Sequence, residues 1–230
     1  MAPISLNGDP LPWVDSVKHL GNILQCDNSM RSDCLLKRGQ FIGKVNSLLQ
    51  EFSYVDSSVM VRILEIYVTT FYGSCLWDLY SPEVKKIYSS WNVTVRNVFN
   101  LPWTTHRYFI ESMSSTKHPK TMLCSRMVKF WESMRKCDKG SVRYLFNLVY
   151  HDRRTLTGRS VSRIAEECQV ERTRLNSKHA KEIKYVTPPP GEIWRVSFLK
   201  ELTDIRKGRA HVAGVSHDEI VDLIDDICTS

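Results

Sequence analysis

Hydrophobic positions along the chain change their period at about residue 33. Before it, short apolar runs alternate with turn residues. Ile4-Ser5-Leu6-Asn7-Gly8 reads as a strand entering a turn, because Asn-Gly supplies the positive φ angles of a tight hairpin. Leu11 to Val14 and Val17 to Leu24 offer the returning strands. Two or three short strands are marginal alone, so this β element is predicted to be the edge of a larger sheet and to need a helix against it.

From Asp33 onward the period is helical. Ile42, Val45, Leu49 and Phe52 form one apolar stripe on a helix over about 33–52. A second helix follows Asp56-Ser57-Ser58. Its apolar sets, Val59, Ile63 and Ile66 with Met60, Leu64, Tyr67 and Phe71, cover so much circumference that it is predicted to be the buried central helix. Ser81-Pro82-Glu83 starts a third, since Ser caps, Pro fits the first helical position and Glu meets the positive dipole end. That helix runs to about Phe99 and stops at Leu101-Pro102, with a short turn or helix over Thr104 to Met113.

His118-Pro119 marks the next boundary. Leu123, Met127, Phe130, Trp131 and Met134 then define a helix over about 120–136, with Arg126, Lys129 and Lys136 on its other side. Val142, Leu145, Phe146 and Val149 mark another. Thr157 is predicted to cap a short helix through Cys168. Pro188-Pro189-Pro190-Gly191 reads as an extended linker. Beyond it, Trp194, Phe198, Leu202 and Ile205 stripe one helix, and the Ser216-x-x-Glu219 capping box precedes Ile220, Leu223, Ile224 and Ile227 on another. The predicted class is mainly α, with a short N-terminal β-hairpin, a helical bundle and a further helical region.

A hydrophobic content of 42% over 230 residues suffices for a core. A formal charge of +7 favours a polyanionic partner, since each cation placed on a phosphate releases condensed counterions. That charge is uneven: residues 117–184 hold 17 Lys and Arg against 7 Asp and Glu, a net of +10. Asp218, Glu219, Asp222, Asp225 and Asp226 make the C-terminal end acidic. The seven cysteines, irregularly spaced, suggest no disulfide framework and point to a reducing compartment, cytoplasm or nucleus. No basic-then-apolar leader opens the chain. The most apolar run, Val59 to Leu79, is interrupted by Arg62, Glu65 and Asp78, which argues against a membrane span.

The strongest candidate chemistry is phosphate binding. Arg126, Lys129, Arg135, Lys136 and Lys139 fall along one helix edge, and His151, Arg153, Arg154, Arg159 and Arg163 cluster at a turn entering the next helix. Arginine forks and helix N-termini suit phosphate oxygens without reading base sequence. Tyr144 and Tyr150 are nearby aromatics, better suited to core packing than to base stacking. No C-x-x-C pair, glycine-rich phosphate loop or G-x-S-x-G elbow occurs.

Two ordered motifs add a family resemblance. Lys18-His19-Leu20-Gly21 reads as the close of a strand, and Tyr72-Gly73-Ser74-Cys75-Leu76-Trp77 follows about fifty residues later in what reads as apolar helix. Together they resemble the region after the polymerase core of non-LTR (LINE-like) retrotransposon reverse transcriptases, where K-[YFH]-L-G begins the primer grip and Y-G-x-x-x-W lies in the thumb. His19 stands where that family usually has Tyr or Phe. Arg96, Leu101-Pro102 with Thr104, Thr105 and His106, and Arg126 with Phe130 follow in the same order. The resemblance covers Ile4 to about Met134.

This resemblance implies an end-of-palm and primer-grip element over 1–28 and a thumb-like helical bundle over 29–115; beyond these the sequence reads, in the family's style only, as a basic post-thumb helical region over 116–187 and, after the proline linker, as a helical pair over 188–230. The resemblance implies a primer-grip role for Lys18, His19, Leu20 and Gly21, while the charge pattern makes Arg126, Lys129, Lys136, Arg153, Arg154, Arg159 and Arg163 the candidate phosphate contacts to RNA or an RNA:DNA hybrid. Polymerase chemistry needs carboxylates from separate strands to hold two metal ions. The family's catalytic aspartates are expected upstream of this segment, so Mg²⁺ is expected only for a complete polymerase, this chain alone should be inactive, and a polypeptide carrying palm and fingers is a candidate partner. Asp225-Asp226 reads as the solvated face of a helix. The alternatives are a helical protein-interaction scaffold, docking through the Trp194 to Ile227 helices, and a non-functional remnant of a mobile element.

Overall fold

Five helix starts carry side-chain caps, and these punctuate the fold. In the computed structural model, which describes residues 5–7, 9–10, 12–107, 110, 116–152 and 154–183, the chain is mainly helical behind an antiparallel β N-terminus. The helices are α1 (Arg31–Glu51), α2 (Ser57–Val68), α3 (Pro82–Val98), α4 (Pro119–Arg135), α5 (Gly140–His151), α6 (Leu156–Glu167) and α7 (Ser177–Lys181), with a 3₁₀ turn at Ser74–Leu76. Asp56 accepts from the Ser58 amide, Ser81 from Val84, His118 from Lys120, Thr155 from Gly158 and Asn176 from Lys178 and His179. Each satisfies a donor that a helix start leaves open.

Helix ends are equally specific. Asn100 at φ 51° and Gln169 at φ 54° take the left-handed position after α3 and α6. The next amides, of Leu101 and Val170, reach back to the carbonyls of Arg96 and Ala165 at 2.8 and 3.0 Å. This pattern closes the last turn and satisfies its carbonyls.

The β element differs from its expected form. β1 (Ser5–Leu6) pairs with β2 (Asp9–Pro10), and β3 (Ser16–His19) pairs with β4 (Asn22–Gln25), as two separate ribbons. Val17 to Leu24 is therefore a hairpin rather than one strand. Leu20 at φ 46° and Gly21 at φ 78° form the two-residue turn. Positive φ at both central positions matches the right-handed twist of the strands, and it strains a branched side chain such as leucine.

Among the described residues, one cluster of buried side chains runs from Met30 to Ile183 and draws on residues either side of position 115. Its middle is α4, not α2. Leu123, Cys124, Met127, Val128 and Trp131 are buried, and α4 packs against α3, α5, α6, α7 and the 3₁₀ turn. The Trp131 and Phe146 rings meet at 4.7 Å. By contrast α2 buries only Met60, Val61, Leu64 and Val68, while Ile66 and Tyr67 are 66% and 63% exposed. An apolar circumference signals burial only where neighbours exist to supply it.

The stripe of α1 is also offset from the predicted one. Asp33, Cys34, Lys37, Phe41 and Val45 are buried, and Ile42 lies on the exposed side. Thr155, rather than Thr157, caps α6. The expected helices after Pro188 and the acidic end lie outside the described residues, as do residues 108–109 and 111–113 of the expected turn or helix over Thr104 to Met113. Among the described residues no helix is long and apolar enough to cross a membrane.

Candidate nucleic-acid interface

The hairpin turn and the Tyr72–Trp77 segment meet on α1, which carries two buried charges for the purpose. Lys37 donates from Nζ to the Gly21 carbonyl at 2.8 Å and stands 6.0 Å from the centre of the Tyr72 ring. One turn earlier, the Asp33 carboxylate accepts from the Ile23 amide at 3.0 Å and from the Trp77 indole N–H at 2.8 Å. Spacing of four residues places both side chains on one helix face. Gly73 has φ 80°, and a Cβ there would overlap the Asn22 side-chain amide. The first residue after the hairpin turn therefore rests on the motif's glycine.

This segment is not part of a helix as its apolar sequence suggested. It turns at Gly73, makes the 3₁₀ turn and leaves Trp77 extended. Extended backbone needs outside partners, and α6 supplies them. Ser160 Oγ accepts from the Leu79 amide at 2.9 Å and donates to the Trp77 carbonyl at 3.0 Å. Thr157 Oγ1 donates to the Cys75 carbonyl at 3.3 Å, and Arg159 pairs with Asp78 at 3.4 Å. The motif is clamped between α1 and α6.

Lys18, His19 and Leu20 are exposed on the hairpin, and Gly21 faces inward through its carbonyl. The other predicted cations divide. Arg126 is half-buried and donates from Nη1 to the carbonyls of Thr69 and Thr70 at 2.9 and 2.6 Å, satisfying the C-terminus of α2. Desolvation lowers its pKa. Arg159 is tied to Asp78, and Arg163 lies 5.5 Å from the centre of the Tyr80 ring, which Lys120 also approaches at 5.4 Å. Arg135, another of the basic edge, donates to the Thr173 carbonyl at 2.9 Å.

Lys129 on α4 and Lys136 at its C-terminal cap are exposed two turns apart, and exposed Lys139 and Arg143 continue into α5. Arg154, 95% exposed at its side chain, approaches Asp152 at 3.4 Å. Arg153 lies outside the described residues. The basic segment thus divides into cations with a partner elsewhere in the fold, Arg126 half-buried and Arg135, Arg159 and Arg163 exposed, and Lys129, Lys136, Lys139, Arg143 and Arg154 on the surface.

Buried titratable groups behind this surface are held neutral. Burial pushes His118 down to about 3, helped by Lys120 and Arg107, and its ring packs edge-on to Tyr88 at 5.5 Å. Burial first, then Asp33 and Glu83, pushes the Cys34 thiol up to about 12. Cys124 also rises to about 12 through burial, and Tyr80 is raised chiefly by burial. Such cysteines pack as small apolar groups rather than nucleophiles.

A divalent ion would need several free oxygen ligands. Both carboxylate oxygens of Asp33 already accept hydrogen bonds, and Asp78 pairs with Arg159. Among the described residues, no three His, Cys, Asp or Glu side chains gather as potential metal ligands. The carboxylates around the motif serve the fold. Compared with protein-family models, curated proteins and solved structures, the chain matches none.

Four positions central to this arrangement carry no motif of their own: Asn22, Asp33, Lys37 and Ser160. The available signal was the placement of Asp33 and Lys37 in register with Phe41 and Val45 at four-residue steps. Charges in an apolar register mark buried polar partners.

Proposed function

We propose that this chain is the template-primer-gripping part of a retrotransposon RNA-directed DNA polymerase, binding an RNA:DNA hybrid or structured RNA through phosphates. The observation that carries the reading is the junction of the two motifs behind the resemblance. Gly21 and Tyr72 share Lys37, and Ile23 and Trp77 share Asp33. Motifs about fifty residues apart have a joint physical role if they build one corner, and that corner leaves Lys18, His19 and Leu20 exposed. The net charge of +7 and the exposed cations of α4 and α5 support a polyanionic partner.

The proposed role is binding rather than polymerisation. Filter binding of the purified chain to an RNA:DNA hybrid, with polyglutamate as a competitor of equal charge, tests it. Retention of the hybrid against that competitor is expected, and equal competition by polyglutamate would reduce the reading to general anion attraction. Primer extension by the chain alone with Mg²⁺ would overturn its binding-only character.

One observation favours a second reading, a protein-interaction scaffold. Val59, Ile66 and Tyr67 of α2, and Tyr144, Leu145 and Leu148 of α5, are exposed apolar side chains. On α5, Tyr144, Leu145 and Leu148 stand three and four residues apart and share one side of the helix, the arrangement an apolar protein contact uses.

A further inference from the structure

A small cleft of about 30 Å³ opens between α1 and α3, lined by Arg31, Cys34, Leu35, Arg38, Glu83 and Lys86. On α1 the steps Arg31, Leu35, Arg38 follow one face, and on α3 Glu83 and Lys86 are three residues apart. Three cations against one carboxylate leave the lining at a net charge of +2. Among the described residues, none of the three cations has an ion-pair partner within 4.0 Å.

Arg38 is oriented as well as present. Its Nε donates to Ser90 Oγ at 2.9 Å, and that hydroxyl is itself fixed by donating to the Lys86 carbonyl at 2.9 Å. Ser90 is buried. Anchoring through Nε leaves the two terminal nitrogens of the guanidinium as a fork, the geometry that matches a pair of phosphate oxygens. Cys34 lines the same cleft as a neutral thiol, so it adds no negative charge against an anion.

We propose that this cleft is a phosphate site, in which the Arg38 fork takes two oxygens of a nucleic-acid phosphate while Arg31 and Lys86 add positive charge beside it. It would be a second anchor, on helices other than the α4 and α5 edge. The source of the phosphate rests on the nucleic-acid reading above, whereas the phosphate chemistry stands on the cleft itself. Glu83 gives the proposal a sign that a purely structural role lacks: removing its charge should strengthen binding.

The test compares the intact chain with Arg38→Gln, Lys86→Gln and Glu83→Gln, using two probes. Inorganic phosphate is followed by NMR at the Arg38 Nε–H, and an RNA:DNA hybrid by fluorescence anisotropy across a salt series. Phosphate is expected to shift the Arg38 signal. Arg38→Gln and Lys86→Gln should each weaken hybrid binding by about threefold or more and lower the salt slope by about 1. Glu83→Gln should raise the affinity by about twofold. Lys86 and Glu83 lie outside the buried core, so their variants decide the matter even if Arg38→Gln unfolds.

Hybrid binding that is identical in all three variants would overturn the cleft and leave the nucleic-acid reading standing. A phosphate shift without any hybrid binding would keep the phosphate site and overturn nucleic acid as its source. No phosphate shift and weaker binding in Glu83→Gln would overturn the site outright.

Discussion

Trp77 donates its indole N–H to the Asp33 carboxylate at 2.8 Å, across 44 residues of chain, and the other oxygen of that carboxylate accepts from the Ile23 amide at 3.0 Å. One buried side chain therefore satisfies the hairpin and the Tyr72–Trp77 segment together. A buried donor or acceptor left without its partner costs about 1–3 kcal/mol. Trp77→Phe, which also loses ring area, should destabilise the fold by roughly 2–4 kcal/mol. Asp33→Asn, which turns an amide donor toward another donor, should cost about 2 kcal/mol. In a double-mutant cycle by urea unfolding, the pair should fall short of additivity by about 1 kcal/mol. Additive losses would show that the two residues are not coupled.

Gly73 is where the hairpin rests on the motif. Its φ of 80° strains any L side chain, and a Cβ would displace the Asn22 amide. Gly73→Ala should destabilise by about 1–2 kcal/mol and speed hydrogen exchange at Asn22 and Ile23. Asn22→Ala in the same background should recover part of the loss by making room. A Gly73→Ala protein as stable as the parent would mean that hairpin and motif do not pack together.

His118 supplies the pH dependence. Its folded value, pushed down to about 3 by burial, lies below the ordinary value near 6.5. Between those values the unfolded chain binds the extra proton and the folded chain does not. The contribution is complete above about pH 7 and is lost as pH falls through 6.5 toward 3, with a slope of at most about 1.4 kcal/mol per pH unit. His118→Asn keeps a capping acceptor and removes the titration. Its stability between pH 7 and 5 should be flatter than the parent's, and parallel curves would remove His118 as the cause.

The cations can be separated by their roles. Lys129, Lys136 and Arg154 are exposed, whereas Arg126 is bonded to the carbonyls ending α2. Changing the first three to Gln should lower the salt slope of nucleic-acid binding by about 0.9 for each phosphate no longer neutralised, and leave stability within about 0.5 kcal/mol. Arg126→Gln should do the reverse, costing about 1–3 kcal/mol of stability with little change in slope. Equal effects on binding from all four would contradict the division.

Helices were legible because their ends are written in local chemistry. Ser81-Pro82-Glu83, Asp56-Ser57-Ser58 and His118-Pro119 each start a helix as expected, and Leu101-Pro102 follows the end of α3. Periodicity failed where tertiary partners decide. Asp33 and Lys37 interrupt the true stripe of α1, so the apolar pattern starts at Ile42, one residue off the buried Phe41. The Tyr72–Trp77 segment looks helical by composition, yet Gly73 at positive φ and the hydroxyl of Ser160 divert it. Several arginines of the basic cluster have contacts elsewhere in the fold that the sequence did not announce, for the same reason. A carbonyl, carboxylate or ring waiting to receive Arg126, Arg159 or Arg163 leaves no mark beside that residue in the chain.

The most direct measurement is fluorescence anisotropy of the purified chain with a labelled RNA:DNA hybrid, single-stranded RNA and duplex DNA, each over a salt series. A template-primer grip predicts tightest binding to the hybrid, with log affinity falling steeply and linearly against log salt. A folded sample that binds none of the three at low salt would contradict it.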